Sequence, residues 1–232
     1  MSSKGGFKQE LFAQFARVAR ALGHGNRLEL LEFIAQGERS VDELARVAGL
    51  SVANTSQHLK QLRQAGLVAA RKEGLRVYYR LSGDDVLVLL DALRAVAERH
   101  LDEVAALVRT YLTSRDALEP IAREELLARA RDGLVTVLDV RPPEEYAAGH
   151  VPGAINVPLE RLEQQLDRLD PAQEVVAYCR GPHCILAFDA VARLRRHGIR
   201  ARRLEDGFPE WRLHGLPVDA GDGDAGAGEG EA

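Results

Sequence analysis

Residues 40–81 read SVDELARVAGLSVANTSQHLKQLRQAGLVAARKEGLRVYYRL, and this stretch decides the fold of the first half of the chain. Ser40, followed three residues later by Glu43, forms a capping box and predicts the start of a short helix. Gly49 then supplies a turn, and Ser51 predicts the N-cap of a second helix. The stretch therefore predicts two short helices joined by a tight turn.

The chain changes period after this second helix. Two β-rich runs between Leu67 and Leu81 flank a Gly-containing turn, which predicts an antiparallel hairpin. Outside this region, apolar spacing predicts helices over Phe7–Leu22 and Arg27–Ala35, and one long amphipathic helix from Asp84 to about Leu112. The first and last of these helices have more apolar surface than a small core can bury, so we expect them to pair with a second subunit.

The second half of the chain alternates predicted helices and strands. Helices are expected over 120–131, 159–168 and 184–197, and strands over 135–140, 174–178 and 199–204. Such alternation predicts a parallel sheet with helices on its faces. We therefore expect a mainly-α domain over 1–115, an α/β domain over 116–218 and a disordered acidic tail over 219–232.

The composition excludes several classes of protein. The chain has 232 residues, a net charge of −4 and two cysteines. Two cysteines cannot staple a domain of this size, which excludes a disulfide scaffold. No apolar run reaches the roughly 20 residues of a membrane span. We expect a cytoplasmic protein with reduced thiols and no membrane association.

The charge is divided unevenly along the chain. Residues 1–80 hold 13 basic and 7 acidic side chains, whereas residues 117–232 hold 14 basic and 21 acidic ones. A basic segment of this kind indicates a polyanionic partner, although a solvated arginine-rich surface is the alternative.

The second helix of the turn has a polar face opposite an apolar face formed by Val52, Leu59 and Leu62. Small and amide side chains on that face can enter a major groove and read base edges. The helix N-terminus favours a phosphate, and cationic side chains of the hairpin can contact phosphates or the minor groove. The predicted DNA-binding residues are Ser51, Asn54, Thr55, Ser56, Gln57, His58, Lys60, Gln61, Arg71, Lys72 and Arg76. A helical bundle with polar outer faces is the alternative.

Residues 17–81 resemble the ArsR family of bacterial repressors, most specifically in SQHLKQLRQAGLV followed by RKEGLRVYYRL. The resemblance implies a winged helix-turn-helix fold, a homodimer built from the first and last helices, and a roughly palindromic double-stranded DNA operator. Many members of the family sense metals through a cysteine pair on the helix before the recognition helix. That helix has no cysteine here, and His100, Asp102 and Glu103 are common surface residues, so we expect no metal and no cofactor.

Both cysteines lie in VVAYCRGPHCI, residues 175–185. Cys179 follows a predicted buried strand and precedes a predicted helix, which places it at the sheet edge where α/β proteins bind ligands. The helix N-terminus, Arg180 and His183 favour a thiolate there. Cys179 is therefore the candidate nucleophile, with a buried inert cysteine as the alternative.

Residues 117–218 resemble a single-domain rhodanese in VTVLDVRPPEEYAAGHVPGAINVPL, EVVAYCRGPHC and DGFPEWRLHGLPV. The resemblance implies an α/β rhodanese-like fold and a persulfide on Cys179, with a structural Asp139–Arg141 ion pair beside the loop. Cys184 stands where many rhodaneses have arginine, which removes an anion-binding side chain and adds a resolving thiol. The predicted catalytic residues are Cys179, Arg180, Gly181, His183, Cys184, Asp139 and Arg141.

The leading interpretation is a DNA-binding transcriptional regulator, expected to be a repressor, whose Cys179 carries or senses sulfane sulfur or redox state. An active sulfurtransferase using thiosulfate or a persulfide is the main alternative. A metalloid sensor acting through Cys179 and Cys184 and a catalytically silent domain used for protein contacts are two others. The expected partners are an operator, a second copy of the chain, and a small sulfur donor or thiol acceptor.

Overall fold

The computed structural model describes residues 3–113, 120–170 and 172–221. The chain divides into two compact units, Met1–Leu89 and Leu90–Ala232. The boundary predicted at 115/116 lies outside the described residues, as do residues 222–232 of the predicted tail 219–232. Asp219, the first residue of that tail, instead pairs with His150 in an antiparallel bridge.

The first unit is a small helical domain with a hairpin. Its elements are α1 (Ser3–Leu22), α2 (Gly25–Ala35), β1 (Arg39–Ser40), α3 (Val41–Val47), α4 (Val52–Gln64), β2 (Val68–Glu73), β3 (Arg76–Leu81) and the first residues of α5 (Asp84–His100). The strands form an antiparallel sheet in the order β1-β3-β2. Helices α3 and α4 followed by the β2–β3 hairpin confirm the predicted winged helix-turn-helix.

The helix starts follow from the capping residues. The Ser40 amide donates to Glu43 Oε2 at 2.8 Å, and the Glu43 amide donates to Ser40 Oγ at 3.3 Å. The hydrogen bond from the Ser40 side chain is the main cause that lowers the pKa of Glu43. The Asn54 amide donates to Ser51 Oγ at 3.2 Å, which caps α4 as expected.

The buried face of α4 differs from the predicted one. Leu59 and Leu62 are fully buried, but Val52 is 49% exposed. The buried row is Thr55, His58, Leu59 and Leu62, which follows the i, i+3, i+4, i+7 spacing of a helix face. Val52 occupies the first position of the helix and falls outside that row.

The long helix predicted to run to Leu112 is interrupted. Helix α5 ends at His100, Leu101 is extended with φ −112° and ψ 106°, and α6 (Asp102–Val108) follows, continued by a π-helical segment over Arg109–Thr113. The last turn of α5 is basic and the first turn of α6 is acidic. Both arrangements complement the helix dipole, so the charges stabilise two helix ends at this position.

The elements of the second unit beyond α6 are α7 (Arg123–Arg131), β4 (Val135–Asp139), α8 (Pro143–Ala148), β5 (Ile155–Asn156), β6 (Glu174–Tyr178), α9 (Ile185–Arg196), β7 (Ala201–Arg203) and α10 (Phe208–Leu213). The strands form an all-parallel sheet in the order β5-β4-β6-β7, as the alternating pattern predicted. The helix predicted over 159–168 is instead two 3-10 segments, Leu159–Gln164 and Leu166–Arg168. The sequence reading missed β1, α8, β5 and α10, all of six residues or fewer.

The sheet has a buried apolar cluster on each face. One cluster includes Cys179, Cys184 and the inner side of α9. The other includes Tyr178, Phe208 and Trp211. Strand β6 is central and buried on both sides, which fixes the point where the cysteine loop begins.

Candidate functional site

The cysteine loop leaves the carboxyl end of β6 and returns at the start of α9. Cys179 directly follows Tyr178, and Cys184 is the N-cap residue of α9. The Cys184 amide donates to the Gly181 carbonyl at 3.1 Å, which closes the loop as a tight turn. The loop thus lies at the sheet edge where the sequence placed it.

Cys179 and Cys184 are joined in a disulfide, with their Cα atoms 6.1 Å apart. This separation lies in the usual range of about 4.4–6.8 Å for disulfides. The expectation of two reduced thiols is therefore wrong for this state of the protein, because the turn brings the two side chains together. Both cysteines are buried in the core cluster on the α9 side.

A second segment, at the start of α10, packs directly on the loop. The Phe208 amide donates to the Cys179 carbonyl at 3.0 Å. Gly207 lies so close to Gly181 that a Cβ atom on Gly207 would overlap the Gly181 backbone nitrogen. Only glycine fits at residue 207 while the loop keeps this conformation.

Arg180 points to a buried carboxylate on α8. Its Nε lies 3.0 Å from both carboxylate oxygens of Glu145, and its Nη2 lies 2.8 Å from Oε1. Glu145 is fully buried. Arg180 therefore shares its charge with Glu145 and anchors the loop, so its expected support of a thiolate is weakened. The sequence reading missed Glu145, whose only signal was its place in the PPEEY segment.

The ion pair predicted between Asp139 and Arg141 is present at the end of β4, beside β6. Arg141 Nη2 donates to Asp139 Oδ2 at 2.6 Å, and Arg141 Nε and backbone N donate to Oδ1 at 3.0 and 2.9 Å. Both side chains are fully buried. Burial by itself lowers the pKa of Arg141, but the charge and hydrogen bonds of Asp139 outweigh it and raise that pKa.

The same ion pair fixes the neighbouring loops. Arg141 Nη2 also donates to the Gly149 carbonyl at 2.7 Å, and its guanidinium lies 4.3 Å from the centre of the Phe208 ring. Asn156 Nδ2 donates to the carbonyls of Asp139 and Arg141 at 3.1 and 3.0 Å. The pair is thus a structural support of this sheet edge.

His183 does not supply the positive charge expected beside the cysteines. Its Nε2 lies 3.2 Å from Glu98 Oε1. Burial lowers the pKa of His183, and this effect prevails over the opposing effect of Glu98. A mainly neutral imidazole at neutral pH adds no cation to stabilise a thiolate.

In the first unit, most predicted DNA-binding residues lie on the exposed face of α4 or on the hairpin. The exposed members are Ser51, Asn54, Ser56, Gln57, Lys60, Gln61, Arg71, Lys72 and Arg76. Thr55 and His58 are buried, and their assignment as DNA contacts is wrong because they belong to the core row of α4. Burial is also the main cause that lowers the pKa of His58.

Gln61 and Arg71 are exposed but already form hydrogen bonds or ion pairs with other side chains of the protein. Gln61 Oε1 accepts a hydrogen bond from Arg27, whose Nη2 also donates to the Arg20 carbonyl at 2.9 Å. Arg71 donates to Glu38 Oε2 at 2.7 Å through Nε and also pairs with Glu73. Hydrogen bonds to these two carboxylates raise the pKa of Arg71. These partners were not predicted; Arg27 and Glu38 lie more than 30 residues away along the chain, whereas Glu73 is on the same strand as Arg71.

Among residues 3–113, 120–170 and 172–221, no group of three or more histidine, cysteine, aspartate or glutamate residues could hold a metal ion. Within the same ranges, no helix has the length and apolar character needed to span a bilayer.

The two units together define a class of protein, a winged helix-turn-helix reader of DNA joined to a sheet that carries a rhodanese-type cysteine loop. The model of bacterial regulatory proteins of the arsR family matches residues 24–70, and the rhodanese-like domain model matches residues 122–214. The HTH-type transcriptional regulator Rv0324 of Mycobacterium tuberculosis is 46% identical over 221 residues, which cover 95% of this chain and 97% of that protein. The chain belongs to the ArsR family of bacterial transcriptional regulators and carries a C-terminal rhodanese-like domain.

Two other similarities concern one half of the chain each. A sulfurtransferase of Allochromatium vinosum is 32% identical over 90 residues, which cover 38% of this chain and 82% of that protein. The solution structure of a homodimeric winged helix-turn-helix DNA-binding domain from Mycobacterium bovis is 42% identical. The match covers 44% of this chain and 91% of the Mycobacterium bovis chain, with a TM-score of 0.40.

Proposed function

We propose that this regulator binds a double-stranded operator as a homodimer in the cytoplasm, and that Cys179 senses sulfane sulfur with Cys184 as the resolving thiol. The observation that carries the proposal is the Cys179–Cys184 disulfide in a loop at the carboxyl edge of the parallel sheet. Two cysteines close enough to form a disulfide, on a short loop beside a helix N-terminus, suit reversible thiol–disulfide exchange.

The chemistry proceeds in two exchange steps. The Cys179 thiolate attacks the sulfane sulfur of a low-molecular-weight persulfide; a bond forms from Sγ to that sulfur, the donor S–S bond breaks, and the donor thiolate leaves. The Cys184 thiolate then attacks Cys179 Sγ, so that the Sγ–Sγ bond forms and hydrosulfide leaves with the electron pair. The sulfane sulfur is reduced to sulfide, and the two cysteines are oxidised to the disulfide. Two equivalents of a thiol acceptor restore the thiols and become a disulfide themselves.

The proposed DNA surface consists of α4 and the hairpin. Asn54 and Gln57 are exposed amides on α4 and are the proposed readers of base edges. Lys72 and Arg76 on the hairpin are the proposed phosphate or minor-groove contacts. Ser51, Ser56 and Lys60 extend this surface along the start and middle of α4.

The proposed dimer uses apolar surface that the first unit leaves uncovered. On α1, Phe7, Phe12 and Phe15 are all more exposed than buried, and Leu11 lies beside them. Contiguous exposed apolar surface of this kind marks an interaction site. A two-fold dimer would bury the same surface of both copies and match two operator half-sites.

The test combines sulfur mapping with operator binding. The reduced full-length protein is treated with inorganic polysulfide, the cysteines are mapped by mass spectrometry, and operator affinity is measured by fluorescence anisotropy. In the wild type we expect a transient sulfur on Cys179, which is replaced by the Cys179–Cys184 disulfide as about one hydrosulfide per chain is released, and a changed Kd. Cys184→Ser should keep the added sulfur on Cys179 without releasing hydrosulfide, and Cys179→Ser should react at neither step. A Cys184→Ser variant without added sulfur, or a wild type whose Kd is unchanged on disulfide formation, would contradict the proposal.

A second candidate function is sulfur transfer with many turnovers, which the similarity to a sulfurtransferase over 90 residues favours. A carrier of this kind passes the Cys179 sulfur to an external thiol acceptor before Cys184 attacks. Counting the thiocyanate formed per chain, with cyanide in place of the thiol acceptor and no thiol present, separates the two functions. A sensor stops within about one equivalent because its disulfide is not reduced, whereas a transferase continues.

A further inference from the structure

Two charged side chains of α5 that lie within the second unit contact the cysteine loop and the helix α10 that packs on it. Glu98 Oε1 is 3.2 Å from Nε2 of His183, the residue before Cys184. Arg94 Nη1 is 3.1 Å from Glu210 Oε1 on α10. Neither contact belongs to the exchange chemistry proposed above.

The Arg94 contact continues to the loop backbone. Glu210 Oε2 accepts a hydrogen bond from the Gly207 amide at 3.1 Å, so one carboxylate joins Arg94 to the start of α10. Gly207 in turn packs against Gly181 with no room for a Cβ atom. A Cβ atom on Gly181 would itself lie 4.0 Å from Arg94 Nη2. Arg94 is therefore coupled by contact to the middle of the loop, as Glu98 is to its end.

The chemistry of the loop requires these contacted residues to move. Cys179 is 1% exposed, and a persulfide adds an S–S bond of about 2.0 Å to it. The backbone of Tyr178 cannot move to make room, since Tyr178 on β6 pairs with Asp139 on the neighbouring strand β4. The added sulfur, and the separation of the two sulfurs on reduction, must be accommodated by residues 180–183.

We propose that Arg94 and Glu98 are positioning residues of the cysteine loop, and that through them helix α5 responds to the thiol, persulfide or disulfide state of Cys179 and Cys184. The inference rests on the proposed function and identifies how that site is regulated. Helix α5 starts at Asp84 in the first unit and continues without interruption to His100. A change at Arg94 and Glu98 therefore acts on a helix that is covalently continuous with the DNA-binding unit.

Such coupling is reciprocal. If closing the disulfide changes operator affinity by some factor, bound operator must change the thiol–disulfide equilibrium of the loop by the same factor. Coupling between two sites typically amounts to about 5- to 150-fold. Both quantities can be measured on the same full-length protein.

The experiment compares three full-length proteins: wild type, the double variant Arg94→Ala/Glu98→Ala, and the control Glu174→Ala. Glu174 pairs with Arg129 at 2.8 Å, is partly buried as Arg94 is, and lies at the opposite end of β6 from Cys179. The thiol–disulfide equilibrium is measured in dithiothreitol redox buffers with and without operator duplex, and the operator Kd is measured for both states.

Wild type and Glu174→Ala should show equal shifts in the two measurements. In the double variant the disulfide should still form, but both shifts should fall to within about twofold of none, below the usual coupling range. Glu98→Gln, which can still hydrogen-bond His183, should retain part of the shift. If the double variant does not fold, Arg94→Gln and Glu98→Gln make the same comparison.

Retention of the full shift in the double variant would overturn the inference and leave the proposed function intact. An unchanged wild-type Kd on disulfide formation, or no added sulfur on Cys179 of Cys184→Ser, would instead contradict the proposed function. A loss of coupling in Glu174→Ala as large as in the double variant would also overturn the inference, because the effect would then belong to any ion pair of this unit.

Discussion

Asp139→Asn should strongly destabilise the second unit. The Asp139 carboxylate accepts three donors from Arg141 at 2.6–3.0 Å, and neither side chain is exposed. The amide removes the negative charge and turns a donor toward the guanidinium, which leaves a buried cation without its counter-charge. Removing one partner of a buried ion pair costs about 3–5 kcal/mol, a large share of the roughly 5–15 kcal/mol by which a domain is stable.

The natural probe for this effect is Trp211, the single tryptophan of the chain, which is fully buried in the second unit. Its fluorescence therefore reports unfolding of that unit in urea. With a slope of about 2 kcal/mol/M, a loss of about 4 kcal/mol lowers the urea midpoint by about 2 M. Arg196→Ala, at an exposed position of α9, is the control and should change stability by less than about 0.5 kcal/mol.

A second variant separates the charge from the packing. Asp139→Leu/Arg141→Met replaces the pair by apolar side chains of similar volume, and such replacements are often neutral or stabilising. It should recover most of the lost stability. An Asp139→Asn midpoint within about 0.5 M of wild type at unchanged slope would refute the reasoning, as would a double variant as unstable as the single one.

Three further outcomes are expected. Arg76→Ala should weaken operator binding on all sequences and lower the slope of log Kd against log salt concentration by about one. Arg71→Ala should lower this slope less, because the Arg71 guanidinium already pairs with two carboxylates. Equal losses of affinity for the two variants, measured by anisotropy over a salt series, would contradict this. Gly207→Ala should displace Gly181 and slow the reaction with polysulfide by up to about a hundredfold in stopped-flow assays, and a wild-type rate would contradict this. The pKa of His58 is lowered from 6.5 in the fold, so the unfolded chain binds more protons at acidic pH. The contribution of His58 to the stability of the first unit is therefore complete above pH 6.5, decreases as pH falls from 6.5 to the lower pKa of the fold, and is constant below it. His58→Gln should flatten this slope in circular-dichroism unfolding curves.

Local signals in the sequence predicted local structure well. The capping box at Ser40 and the cap at Ser51 placed two helix starts, because each depends on contacts within four residues. The alternation of elements predicted the parallel sheet because strands that are joined through helices pair in parallel. The interruption at Leu101 was also visible in the sequence, since basic residues followed by acidic ones complement two helix ends, but the apolar stripe alone suggested one helix.

Contacts between distant segments could not be predicted. The pairing of Arg180 with Glu145 spans 35 residues, and its geometry depends on the turn between β4 and α8. The sequence named both cysteines but could not decide whether their side chains meet, because spacing fixes neither Cα separation nor direction. The burial of Thr55 and His58 likewise depended on which row of α4 faced α2 and α3.

The disulfide closes a ring of only six residues. In the chain-entropy model a ring of this size limits the unfolded chain little, by about 2 kcal/mol against almost 5 kcal/mol for a ring of a hundred residues. The rest of the unit has an apolar cluster on each face of its sheet, so its fold does not depend on that bond. Under the proposed function, the bond can therefore form on a single reaction with sulfane sulfur, persist after the donor has gone, and be reduced by thiols while the domain remains folded.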